Sequence, residues 1–106
     1  MNYNEILDLL KEKMTVSEFA FGDFGRSSGR GRTFVEGIGE CDEVKHYGGE
    51  GKGEEWYSVK FFPDHDIYIK VEGYYSSYNG TEFDGGWRCC TEVRPQEKTI
   101  IIYKSI

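Results

Sequence analysis

Cationic residues are scarce: 13 Lys and Arg stand against 19 Asp and Glu in 106 residues, a formal charge of −6. Broad nucleic-acid binding draws its affinity from clustered Lys and Arg against phosphate, so this balance excludes that class. Long apolar runs are missing too. No stretch approaches the roughly 18 apolar residues of a membrane span, and the N-terminus lacks the basic-then-apolar order of a secretory signal. Cysteine is limited to three residues without a pattern, which excludes a disulfide scaffold. The absences predict a soluble protein of a reducing cytoplasm with no membrane partner.

Aromatic residues make up 16% of the chain, too many for a disordered segment. At this mass a folded chain exposes about 6,000 Å² against about 17,700 Å² when extended, enough burial for one modest core. Residues 1–106 are therefore read as a single α+β domain. Asn2-Tyr3-Asn4-Glu5 has capping-box spacing, and Ile6, Leu9, Leu10 and Met14 follow at helical intervals, which predicts an amphipathic helix over residues 4–14. Phe19 and Phe21 alternate with Glu18 and Ala20 and predict an extended run, as do Thr33, Phe34, Val35 and Ile38. Residues 56–61 and 67–72 alternate on either side of Pro63-Asp64-His65-Asp66 and read as a hairpin. Thr99-Ile100-Ile101-Ile102-Tyr103 reads as a central strand buried on both faces. The economical assembly is an N-terminal helix packed on a curved antiparallel sheet of about five strands. Residues 39–55 and 76–96 remain as irregular stretches, and loops of such length inside a compact domain are more often functional than idle.

Few residues carry the pattern of a chemical site. Gly48-Gly49-Glu50-Gly51-Lys52-Gly53 has the composition of a phosphate-binding loop but not its spacing, since His46 stands five residues before Gly51 and Gly53 follows Lys52. Arg26, Arg30 and Arg32 form the one cationic cluster and, with Lys52, are the candidate anion site; the plain alternative is a solvated loop balanced by Glu18, Asp23 and Glu36. Asp64-His65-Asp66 combines a histidine with two carboxylates, but adjacent strand residues point apart, so a tight turn is the better reading. Cys89-Cys90 are neighbours and cannot serve as a spaced metal pair. No catalytic residue, cofactor or metal ligand is assigned.

Gly73-Tyr74-Tyr75-Ser76-Ser77-Tyr78-Asn79-Gly80 has the composition of a paratope, in which rigid amphipathic rings supply contact area at low entropy cost. Tyr74, Tyr75, Tyr78, Phe83 and Trp87 are accordingly the candidate binding residues, against the alternative that some of them cap the core.

Several of these segments in order, Tyr47-Gly48-Gly49-Glu50-Gly51-Lys52-Gly53, Trp56-Tyr57-Ser58-Val59, Phe62-Pro63-Asp64-His65-Asp66-Ile67-Tyr68-Ile69, the tyrosine segment and Glu92-Val93-Arg94-Pro95-Gln96-Glu97-Lys98-Thr99-Ile100, resemble small uncharacterised proteins encoded by bacteriophages and prophages. The resemblance spans residues 47–103. It implies a phage product acting in the cytoplasm of the bacterial host, and it carries over no catalytic residue. Two functions follow as expectations: a non-enzymatic accessory protein that binds and inhibits a host protein or defence system, or a nucleotide-binding sponge for a small anionic signalling ligand, the latter as a homo-oligomer. A structural or virion-associated role is the third.

Overall fold

The computed structural model describes residues 1–22, 26–27, 32–49, 51, 53–78, 80–96 and 102–106. Helix α1 runs over Tyr3–Lys13. The Asn2 side chain accepts the Glu5 amide at 2.9 Å, and the Glu5 carboxylate accepts the Asn2 amide at 3.1 Å. This reciprocal cap and Lys11 and Lys13 in the last turn suit the helix dipole. Ile6 and Leu10 are its fully buried residues.

The alternation at Phe19 and Phe21 belongs to a second helix, α2, over Val16–Phe21, not to a strand. Two local signals override the pattern. Thr15 and Glu18 form another capping box, and Gly22 ends the turn at φ 73°, the left-handed conformation that a residue without Cβ adopts at no steric cost. Helical geometry then buries Phe19 and Ala20 while Phe21 lies on the rim.

The strands are β1 (Arg26–Ser27), β2 (Arg32–Val35), β3 (Gly39–Tyr47), β4 (Glu55–Phe62), β5 (Ile67–Ser76), β6 (Gly80–Glu82) and β7 (Cys90–Val93), and Gly86–Cys89 form a 3₁₀ turn. All pairs are antiparallel, in the order β1-β2-β3-β4-β5-β6. β7 shares the outer edge of β5 with β6: residues 74–76 pair with β6 and residues 68–71 with β7. The architecture is thus an N-terminal helix followed by a six-strand-wide antiparallel sheet, not closed into a barrel.

Three expectations need correction. Much of the stretch 39–55 is the strand β3, whose only fully buried residue is Cys41. With Cys41, Val44 and Tyr47 three residues apart it shows no two-residue alternation, and its conformation comes from pairing with β2 and β4 on its two edges. The stretch 76–96 holds β6, the 3₁₀ turn and β7. The expected C-terminal strand fares differently: Ile102 and Tyr103 lie outside any strand and are exposed, while Thr99, Ile100 and Ile101 fall outside the described residues.

The hairpin of β4 and β5 is present, with Pro63-Asp64-His65-Asp66 in its turn. Period-two alternation sends Trp56, Ser58, Lys60 and Phe62 to the buried face, where they meet Ile67, Ile69 and Val71. The side chains of α1 and α2 join them, with Val35, Ile38, Cys41 and Cys90. Tyr57, Val59, Phe61 and Tyr68 occupy the opposite face and are half-buried.

A polar triad interrupts the buried face. Lys60, 3% exposed, reaches Glu43 at 3.4 Å, and the Ser58 hydroxyl donates to the same carboxylate oxygen at 2.6 Å. A bulge between Glu43 and Lys45 sets this register. Glu43 is partly in water, so the two ends of the pair differ in what they lose. Glu43→Ala strands a buried ammonium and is expected to cost about 2 kcal/mol, whereas Lys60→Met leaves a carboxylate that still has Ser58 and solvent and is expected to cost less than about 1 kcal/mol. Urea unfolding of the two variants checks this order.

Candidate binding surface

The five aromatic candidates divide by the side of the sheet they face. Tyr74 and Tyr75 are consecutive on β5, so they point to opposite faces. Tyr75 packs against the core, Tyr74 is 46% exposed, and Tyr78, just beyond the strand, is 94% exposed. Phe83 lies over Gly73, where a Cβ would come within 2.8 Å of the ring. The bare Cα at Gly73 makes room for that ring, which also packs edge-on against Trp56 at 5.3 Å and Phe21 at 5.8 Å. Trp87 sits 5.6 Å from the buried Phe19 ring. Tyr75, Phe83 and Trp87 thus fasten the connection between β5 and β7 to the core, and Tyr74 and Tyr78 are the aromatic residues displayed by it.

Carboxylates surround Tyr74. Interaction of its hydroxyl with the Glu54 carboxylate holds the phenol above its ordinary pKa, Glu82 adding in the same direction. A cleft of about 340 Å³ lies on one side, lined by Glu54, Tyr74, Tyr75, Ser76 and Ser77 among others. A second, of about 240 Å³, has Glu72, Tyr74, Asp84 and Cys89 in its wall. Glu54, Glu72, Glu82 and Asp84 were not singled out in the sequence, although the count from Trp56 places Glu54 two residues before it and the hairpin register sets Tyr74 opposite Glu55. An aromatic side chain framed by four acidic groups suits a cationic group on a partner and repels phosphate.

Of the candidate anion site only the backbone positions of Arg26 and Arg32 are among the described residues. Arg26 pairs in register with Phe34 on β2, and Arg32 with Asp42 on β3, whereas Arg30 and Lys52 lie outside the described residues. The two histidines stand at opposite ends of β4. His46 packs edge-on against Trp56 at 5.2 Å, and the His65 ring Nε2 lies 2.7 Å from the Ile38 carbonyl oxygen, joining the hairpin turn to the turn before β3. Among the described residues no group of three or more His, Cys, Asp or Glu converges as a metal site would require. All three cysteines are free thiols. Burial pushes Cys41 and Cys90 each up to about 12 and raises Cys89, which is the opposite of what activates a nucleophilic thiolate.

No protein-family model, curated protein or solved structure matches the chain.

Proposed function

We propose that this chain is a non-enzymatic binding protein, a phage accessory factor that engages and inhibits a host protein in the bacterial cytoplasm through Tyr74 and Tyr78. The observation that carries the reading is the split among the five aromatics: Tyr75, Phe83 and Trp87 anchor the segment, leaving Tyr74 and Tyr78 exposed on a backbone already fixed. Pre-positioned aromatic side chains lose little entropy on contact and are the residues in which interface energy concentrates. The carboxylates around Tyr74 favour a partner whose contact surface is basic, with Lys or Arg entering the cleft beside Glu54.

The test is affinity purification of the tagged chain from a bacterial lysate, with mass spectrometry of co-eluting proteins and of small molecules released on denaturation. A stoichiometric protein partner is expected, bound more weakly as ionic strength rises. Tyr78→Ala is expected to weaken that complex about 30-fold, the equivalent of about 2 kcal/mol, with the fold unchanged. Unchanged affinity in Tyr78→Ala and Tyr74→Ala removes the surface assignment. A retained nucleotide instead of a protein would favour the sponge reading and the set Arg26, Arg30, Arg32 and Lys52.

A further inference from the structure

Glu54 and Tyr74 share the wall of the larger cleft, and the β4–β5 ladder fixes the backbone of both. Glu55 pairs with Tyr74 in register, and the Tyr75 amide donates to the Glu54 carbonyl at 2.7 Å. Hydrogen bonding between the two strands thus continues one residue before β4 begins and holds Glu54 beside Tyr74. The opposite wall is set at the far end of β5. Ser76 pairs with Gly80, and its hydroxyl oxygen accepts the Tyr78 amide at 3.2 Å, with Ser77 next to it. Gly51 and Gly53 complete the lining without side chains; a Cβ at either would meet nothing within 4 Å, so the cleft is open on that side.

Size and charge narrow what this cleft can take. A volume of about 340 Å³ stands at the lower end of ligand sites, which run from about 300 to 1,000 Å³, so it holds a single side chain or a fragment of that size. Glu54 is the one charged residue in its wall. A phosphate or carboxylate is therefore repelled, and an apolar group would strip water from the acid and the hydroxyls without replacing it. A cation remains, and the shape of the cleft distinguishes two kinds. An ammonium projects its three donors from one nitrogen and meets Glu54 as a point charge. A guanidinium is flat: it can lie on the exposed Tyr74 ring while its five N–H groups fan out in one plane, towards Glu54 on one side and the serine hydroxyls on the other. Because the Glu54 carboxylate interacts with the Tyr74 hydroxyl, its charge stands at the edge of the ring on which that cation would rest.

We propose that the cleft between Glu54 and Ser77 is a guanidinium site: it takes an arginine of the partner, stacked on Tyr74 and bonded to Glu54, in preference to a lysine. The inference rests on the docking surface proposed above and specifies the residue that enters it. Heteronuclear NMR titration of the full chain with N-acetylarginine amide, and separately with N-acetyllysine amide, tests it without the partner. The arginine probe is expected to shift the amides of Glu54 and of residues 74–77 with a Kd of order 1 mM, and the lysine probe to bind at least about fivefold more weakly. Glu54→Gln is expected to weaken arginine binding about tenfold. Tyr74→Leu is expected to do the same, and Tyr74→Phe, which restores the ring, to recover most of the loss. Equal affinity for the two probes, shifts confined to other residues, or binding indifferent to Glu54→Gln overturns the proposal. The two readings fail separately. Arginine-selective binding with no protein captured from the lysate upholds the site and removes the docking surface, whereas a Tyr78-dependent complex that survives Glu54→Gln unchanged upholds the surface and removes the arginine site.

Discussion

Phe19→Ala is expected to lower stability by about 3–5 kcal/mol, a large share of a domain's whole margin of order 5–15 kcal/mol. The ring is fully buried, stacks on Phe62 at 6.3 Å and touches Trp87 at 5.6 Å. It is the point at which α2, the hairpin and the 3₁₀ turn meet, so truncation opens a cavity whose walls belong to three separate elements and cannot close by moving one side chain. Phe21→Ala, two positions away, is the control. Its ring is 48% exposed and packs at the rim against Trp56 and Phe83, so its loss is expected to cost about 1–2 kcal/mol. Denaturant unfolding of both variants separates the helical assignment from an extended one, because alternation in a strand would bury both rings equally.

Stability is expected to fall steeply above pH 9, by about 3 kcal/mol between pH 8 and pH 10 from two thiols. Cys41 and Cys90 are raised by burial from the ordinary thiol value of 9.0 to about 12. At pH 7 both groups are protonated in folded and unfolded chains alike, and their contribution is fully present. Above the unfolded value only the folded state retains its protons, the unfolded state binds fewer, and the unfolding free energy declines by about 1.4 kcal/mol per pH unit per thiol. The loss is complete when pH passes the folded value. Tyr3, raised chiefly by burial beside Cys90, adds a contribution of the same sign at higher pH. Urea midpoints at pH 8 and pH 10 measure the slope, and Cys41→Ala is expected to remove about half of it.

The legible parts of the fold were those written in short-range signals. Asn2 and Glu5 marked the start of α1, and Ile6 and Leu10 marked its buried side. The hairpin around Pro63 was equally plain, since both arms alternate. The two-residue spacing of Phe19 and Phe21 imitates a strand and hides α2, yet Thr15 and Glu18 carry the same capping-box spacing as Asn2 and Glu5 in α1. β3 had no local signal to read: its neighbours supply its hydrogen bonds, and the pairing of Glu43 with Lys60 depends on a bulge fixed only by the sheet. Lys60 on a buried face was hidden for the same reason. At the candidate site, alternation in β5 separated Tyr74 from Tyr75, but the acidic frame around Tyr74 gathers residues from β5, β6 and the loops flanking the sheet, which no linear pattern brings together.

The Tyr3 hydroxyl donates to the Cys90 carbonyl at 3.1 Å, a contact between residues 87 positions apart. From β1 to β6 each strand pairs with the next in sequence, so those pairings can form in the order in which the ribosome delivers the strands. Helix α1 is made before every strand of this sheet, but its seat includes Cys90 in β7, alongside Trp87. During synthesis α1 must therefore wait, its apolar side unsheltered, until β7 has left the exit tunnel. A nascent chain stalled before β7 would present Ile6 and Leu10 to chaperones and proteases while already holding a formed hairpin, which makes the arrival of β7 the event that closes this core.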